Sequence, residues 1–439
     1  MVEDGRVGII GTGQIGSRMA RRLLRAGYQV VIHDIDPVAM EGIEGAQKVD
    51  SSAAVARACD LIITCVTDHN AVRDVVMGPG GILEVVRSQH LLIETTTSTP
   101  AVTREVAVAM RESGADLVDA PVSRGVPAAE NGTLSIMLGG HEASRERARP
   151  VLEELGTDII LTGKVGTGHI AKAMNMMVMA VNFSATMELM HLANSLGIPR
   201  EKSIAHFASG LGRSFLLEHH WPRYILPETY NSGFTLGLMW KDLRIACEIA
   251  AEIGQVPLLG ERVTSLYRWA ATTGMAESDN TRLVEFTDQA RGPTPLVRQA
   301  GSSQDLLELL THALFSAVHL GTFEALAVSK AAGLEPEQLL AVLNVSSGGS
   351  AVSNEEHEGY CNLELLYDKV KEVNLMALKQ GDSCFVMNLV LQILAMGLRE
   401  LPRIASDGDI IDFMQRCMGM GKGNSSQSCA ISAVADSNH

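Results

Sequence analysis

A glycine-rich turn between a strand and a helix constrains this chain more than any other feature. Val7–Ile10 is a short apolar run, Gly11-Thr12-Gly13-Gln14-Ile15-Gly16 follows, and Ser17–Arg25 continues with helical periodicity. Gly11 permits the tight turn, Gly13 lets the backbone approach a pyrophosphate, and Gly16 lets the helix pack on the strand. Gln14 and Ile15 complete the turn, and the free N–H groups of the helix N-terminus favour a phosphate. A second run, Gln29–His33, leads into Asp34, 23 residues beyond Gly11. A carboxylate there binds adenosine ribose hydroxyls and repels a 2′-phosphate. The expected cofactor is therefore NAD, favoured over NADP.

The remaining strands extend this beginning. Leu61–Cys65, Leu91–Glu94, Asp116–Asp119, Ser135–Leu138 and Asp158–Leu161 alternate with helical periods, the pattern of a parallel, doubly wound sheet. The pattern changes at Gly166. His169–Leu196 reads as one long apolar helix, stopped at Gly197 with Pro199 following. Further helices run to about Gly274, Ser278–Gln304 reads as a polar linker, and Leu306–Leu401 is helical again. Thr186–Ser214 aligns without gaps on Thr322–Ser350, pairing Glu188 with Glu324, Gly197 with Gly333, Gly212 with Gly348 and Ser214 with Ser350. The expected fold is an α/β Rossmann-like N-terminal domain followed by all-α helical domains in tandem duplication. The domains are 1–165, a nucleotide-binding domain; 166–290, a helical substrate domain; 305–415, a second helical repeat; and 416–439, a disordered tail.

Charge and cysteine usage exclude several function classes. A net charge of −15 without a Lys/Arg run argues against nucleic acid and anionic membranes. The seven Cys show no C-x-x-C or Cys/His spacing, so the expectation is reduced thiols in a cytoplasmic protein, with no disulfide framework and no metal site. The first strand begins too near Met1 for a signal peptide. No apolar run reaches the ~18–20 residues of a membrane span, since Asn175 and Asn182 interrupt Met174–Val181.

Lys172 and Asn175 are three apart, so they share one helix face where the sheet domain ends. An apolar helix has little use for a buried Lys unless it is paired or functional. A dehydrogenase needs a group to take a hydroxyl proton as hydride leaves. A Lys does this when burial or a neighbouring cation such as Lys241 lowers its pKa. Read singly, Lys172 could snorkel and Lys241-Asp242 could be a solvated pair.

With Asp119-Ala120-Pro121-Val122-Ser123-Arg124-Gly125, Ile93–Pro100 and Lys241-Asp242-Leu243 in the same order, the chain resembles the β-hydroxyacid dehydrogenases, the group containing 3-hydroxyisobutyrate and tartronate-semialdehyde enzymes. The resemblance covers about residues 6–275. It implies Lys172 as catalytic acid/base; Ser123, Gly125 and Asn175 as substrate ligands; Lys241 bordering both nicotinamide and substrate; and Val66, Thr67 and Thr97 against NAD. It implies a small anionic hydroxy acid, or the matching aldehyde, as substrate. The family pairs subunits through its helical domains, so a homodimer is expected, or the second repeat supplies that surface in cis. Arg124 stands where the family has Gly, and suggests a second anionic group on the substrate, because Arg binds anions bidentately. Met176 stands where the family repeats Asn. The long helical region also resembles 6-phosphogluconate dehydrogenase, but Met179 occupies the position of that family's proton-donating acid. Oxidative decarboxylation is the runner-up, a non-catalytic NAD-binding scaffold stands behind it, and an imine reductase lacks support because those relatives usually lack the Lys.

Overall fold

The computed structural model describes residues 5–291, 302–354, 360–382 and 384–419. Its first layer is a nine-stranded sheet: β1 (Arg6–Ile10), β2 (Gln29–His33), β3 (Gln47–Lys48), β4 (Leu61–Thr64), β5 (Leu91–Glu94), β6 (Asp116–Asp119), β7 (Val122–Ser123), β8 (Leu134–Gly139) and β9 (Gly156–Gly163). The order is β3-β2-β1-β4-β5-β6-β8-β7, with β9 also on β8. Neighbours from β3 to β6 are parallel. β4 and β5 are buried throughout, as expected of central parallel strands covered by helices on both faces. Ile63 and Ile93 feed the core on one face; Ile62 and Leu92 feed the core on the other.

The expectation of a wholly parallel sheet needs correction. β8 runs antiparallel to β6 and β7. Only the short helix Gly125–Asn131 separates β7 from β8, and it lies between Arg124 and Gly132, both left-handed. That connection reverses the chain; it is too short for the crossover a parallel pair requires.

The rest of the described chain is helical, and its helix lengths recur. Thr167–Ser195 has 29 residues and Ser303–Ala332 has 30. Arg200–Ala208 and Pro336–Asn344 have 9 each, and Leu236–Glu252 and Leu363–Lys379 have 17 each. Leu258–Ala270 has 13 and Met387–Glu400 has 14. The two long helices pack closely: a Cβ on Gly321 would lie 2.7 Å from Val181.

Cross-contacts between the two helical units are reciprocal. Ser214 and Ser350, aligned residues, form an antiparallel bridge with each other. Glu188 accepts from the amides of Val386 and Met387 at the start of a helix in the second unit. Glu324 accepts from Leu259 and Gly260 at the start of the corresponding helix in the first. Each long helix thus caps a helix of the other unit, where unpaired amides and the helix dipole favour a carboxylate.

Two further expectations change. Both long helices are apolar and long enough to cross a membrane by composition, but the most apolar stretches are 94% and 78% buried within the fold, so they are core helices. Asn175 and Asn182 interrupt the run in sequence without interrupting the helix. Part of the expected linker is ordered: Leu283–Arg291 is a helix with Leu283 and Val284 buried, and Arg291 pairs with Glu188 and Asp382. Its polar face masked a short amphipathic period. Gly292-Pro293, Gly301 and the tail from residue 420 lie outside the described residues.

Candidate active site

The glycine turn has the geometry its spacing implies. Gly11 has φ +92°, and a Cβ there would meet the Cys65 carbonyl oxygen at 2.3 Å. A Cβ on Gly16 would meet the Gly11 carbonyl oxygen at 2.0 Å, whereas Gly13 faces open space. No side chain caps the following helix, Gly16–Arg25. Asp34 is half-buried beside the turn; its carboxylate accepts from the Thr12 amide at 2.6 Å, the Thr12 hydroxyl at 3.2 Å and the Asp36 amide at 2.9 Å. An open backbone cradle at an uncapped helix start, with a carboxylate at the end of β2, fits a dinucleotide.

Across the switch between β1 and β4, the strand ends are knitted together. The Thr95 hydroxyl donates to the Thr64 carbonyl at 2.6 Å, and the Val66 amide donates to the Thr96 hydroxyl at 3.1 Å. This ties Val66, next to Thr67, to the loop after β5 at one rim of the sheet, where Thr97 follows Thr96 in sequence. Lys241 reaches that rim by donating to the Thr67 carbonyl at 3.2 Å.

Asp119, at the end of β6, anchors the long helix. Its buried carboxylate accepts from the amides of Gly166 and Gly168, both at 2.8 Å, and of His169 at 3.3 Å. His169 Nε2 pairs with Glu94 at 2.5 Å, and both side chains are wholly buried. Burial pulls the His169 imidazole down, but Glu94 and Asp119 outweigh it and leave it above its ordinary value. Glu94, at the end of β5, supplies this partner.

One turn further, Lys172 is 7% exposed, and its Nζ donates to the Met176 sulphur at 3.3 Å. Burial lowers its pKa; the Asp242 carboxylate opposes that shift and the Lys241 ammonium adds to it. Lys241 lies 3.3 Å from Asp242. Asn175 Nδ2 reaches the same Met176 sulphur at 3.8 Å. Two donors therefore converge on a thioether, which is a weak acceptor.

Ser123 is buried in β7, opposite Ser135 of β8, and Gly125 is left-handed at φ +71° with open space where a Cβ would be. Arg124 has internal partners. It donates to the carbonyls of Val345 at 2.9 Å and Thr133 at 3.0 Å and pairs with Asp158 at 2.6 Å. It also lines a separate cavity of about 460 Å3, with Arg213, His219 and Arg223, whose walls include none of Lys172, Asn175 and Lys241. The guanidinium is spent on internal partners because its backbone, at φ +79°, turns the residue into the reversal before β8.

Sequence reasoning left Asp242 without a role, although it adjoins Lys241 and is 2% exposed. It also gave no role to the loop Val345–Gly348, since nothing local in those residues signals the contact with Asn175.

The nucleotide-binding region, residues 6–163, matches the family model described as the NAD binding domain of 6-phosphogluconate dehydrogenase. Residues 166–287 match the one described as NAD-binding of NADP-dependent 3-hydroxyisobutyrate dehydrogenase. The 2-(hydroxymethyl)glutarate dehydrogenase of Eubacterium barkeri is 31% identical over 295 residues, covering 66% of this chain and 98% of the relative. The chain belongs to the β-hydroxyacid dehydrogenase family. Among solved structures, this hydroxyacid dehydrogenase is similar to Mycobacterium tuberculosis 3-hydroxyisobutyrate dehydrogenase with L-serine, at TM-score 0.61 and 30% identity, over 64% of this chain and 98% of that one. It shares its fold over a longer span, 89% of this chain and 92% of the other, with Plasmodium falciparum 6-phosphogluconate dehydrogenase, at TM-score 0.70 and 12% identity. The dehydrogenase is thus an NAD(P)-binding enzyme with helical structure beyond the single-unit relatives.

Proposed function

We propose that the protein oxidises a small, singly anionic β-hydroxy acid with NAD, or reduces the matching aldehyde, using Lys172 as the acid/base. The observation that carries this reading is the convergence of the buried Lys172 amine and the Asn175 amide on one weak acceptor. In oxidation the neutral Lys172 amine accepts the hydroxyl proton at Nζ, while the Asn175 amide donates to the same substrate oxygen. In reduction the ammonium donates that proton to the carbonyl oxygen. Ser123 and Gly125 line the side expected to take the carboxylate. Lys241, held by Thr67 and Asp242, stands between this pocket and the cofactor rim. The nicotinamide, when bound, supplies the hydride acceptor. Asp34 supports NAD, since its carboxylate would meet a 2′-phosphate at the ribose position.

Decarboxylation finds no support in the side chains. Met179 is apolar and 3% exposed where an acid would have to protonate the product.

The test follows NADH by its ultraviolet absorbance, with NAD or NADP supplied and 3-hydroxyisobutyrate, 2-(hydroxymethyl)glutarate, glycerate and 6-phosphogluconate as substrates. Turnover of 3-hydroxyisobutyrate or glycerate with NAD is expected. Turnover confined to 6-phosphogluconate would overturn the reading, and faster turnover with NADP would overturn the cofactor choice.

A further inference from the structure

The strongest unexplained feature is the loop that joins the second helical unit to the site. Residues 345–348 come from the unit with no Lys at the position matching Lys172, where Glu308 stands exposed. Yet this loop reaches the heart of the first unit. The Gly348 amide donates to Asn175 Oδ1 at 2.9 Å, and Asn175 Nδ2 donates to the Ser347 hydroxyl at 3.1 Å. The Ser346 and Ser135 hydroxyls are 3.0 Å apart, on the strand that pairs with Ser123. The Val345 carbonyl accepts from Arg124. Asn175, Ser346 and Ser347 are all buried.

These bonds determine how the Asn175 amide faces. A backbone N–H only donates, so the side-chain oxygen must point to Gly348 and the NH2 must point away from it. Ser347 takes one of the two amide protons. The other is directed to the Met176 sulphur, where Lys172 also points. A carboxamide free to flip would present its oxygen there half the time and offer a substrate oxygen no donor. The close fit at Gly348 has the same meaning: a Cβ would lie 2.9 Å from both the Asn175 backbone oxygen and Oδ1.

We propose that the second helical unit is a working part of the active site, its Ser347 and Gly348 acting in cis as positioning residues that fix Asn175 for the substrate. The inference rests on the reading of Asn175 as a substrate ligand. The corresponding loop of the first unit has no such amide to hold: Gly212, which aligns with Gly348, faces Leu314. A Cβ on Gly210, in the corresponding loop of the first unit, would lie 3.9 Å from Thr311, the residue that aligns with Asn175. That mirror position carries no amide and has no sheet domain of its own. The second unit keeps the loop that holds Asn175 and carries Thr311 where the first unit has that amide.

A double-mutant cycle on the full chain tests this, with the best of 3-hydroxyisobutyrate, 2-(hydroxymethyl)glutarate and glycerate as the probe. Ser347→Ala is expected to raise the KM for the hydroxy acid about five- to tenfold, the effect of one lost hydrogen bond, with the KM for NAD unchanged. In an Asn175→Ala background the same substitution should change nothing further, because the amide it positions is gone. Equal effects in both backgrounds, or none in either, would overturn the proposal. Activity per chain should also stay constant on dilution, and a fall would show that a second chain completes the site. Gly348→Ala should give a larger KM increase, read only where its melting temperature stays near that of the parent. Loss of turnover in Lys172→Ala beside an unaffected Ser347→Ala would sink this inference alone. Full turnover in Lys172→Ala would sink the proposed function itself.

Discussion

The two helical units share helix order and helix length but differ in what their long helices carry. In the first, the opening turns carry His169, which pairs with Glu94 of the sheet domain, and Lys172 and Asn175. In the second, the aligned face carries Glu308 and Thr311. What both keep is the structural glutamate, Glu188 in one and Glu324 in the other, each bound to backbone amides of the opposite unit. The two units therefore share packing residues while differing at the positions of the proposed acid/base and substrate ligand. A unit without the proposed acid/base still covers its partner's apolar face and meets Asn175.

The widest gap between the units should appear in catalysis. Lys172→Ala is expected to lower turnover by about 10²–10⁴-fold, the usual contribution of a positioned acid/base, while NADH affinity measured by fluorescence stays within about twofold. Glu308→Ala, its counterpart, should leave both unchanged. Comparable losses from the two substitutions would erase the proposed division of labour.

The conserved feature of the comparison predicts the next effect. Glu188→Ala and Glu324→Ala should each destabilise the fold by about 2–4 kcal/mol, because buried amides lose a charged acceptor. Burial raises both carboxyls from 4.5 to about 7. A raised folded-state pKa gives stability that is full below the ordinary value near 4.5 and is lost as pH climbs through 7. The melting temperature should therefore fall across that window, and fall less in either Glu→Gln variant, which no longer titrates. A melting temperature that rises over this range, or a Glu→Gln variant as pH-sensitive as the parent, would contradict the shared role.

Much of this was legible in the sequence because it is local. Gly11, Gly13, Gly16 and Asp34 lie in one strand–turn–helix–strand segment, so their spacing reports their geometry. β2, β5 and β6 have the ends their apolar runs suggest. Lys172 and Asn175 are one helical turn apart. What escaped is non-local. Asn175 meets Ser347 and Gly348 across more than a third of the chain, and no local periodicity encodes that approach. The partners of Arg124 were out of reach for a related reason: its residue type suits an anion, but the approach of Asp158 and the Val345 carbonyl is set by tertiary packing. The antiparallel β8 and the helix Leu283–Arg291 were hidden by short, polar intervening sequence.

The smallest expected effect concerns that arginine. Arg124→Gly should leave substrate KM values within about twofold. It should cost about 1 kcal/mol or less of stability, since the lost, partly exposed ion pair is offset by relief of a left-handed backbone that disfavours side chains. A KM rise of tenfold or more, confined to doubly anionic substrates, would restore the substrate-binding role suggested by sequence.

The pH dependence of kcat/KM for oxidation, in the parent and in Asp242→Asn, tests most directly whether Lys172 moves the proton. The amine must be neutral to accept it, so activity should rise with pH along a limb whose midpoint lies below the ordinary lysine value of 10.5, as burial and Lys241 require. The Asp242 carboxylate now holds that midpoint up, and its removal should move the limb to lower pH. A limb that stays in place in Asp242→Asn, or moves to higher pH, would contradict the assignment of Lys172 as the acid/base.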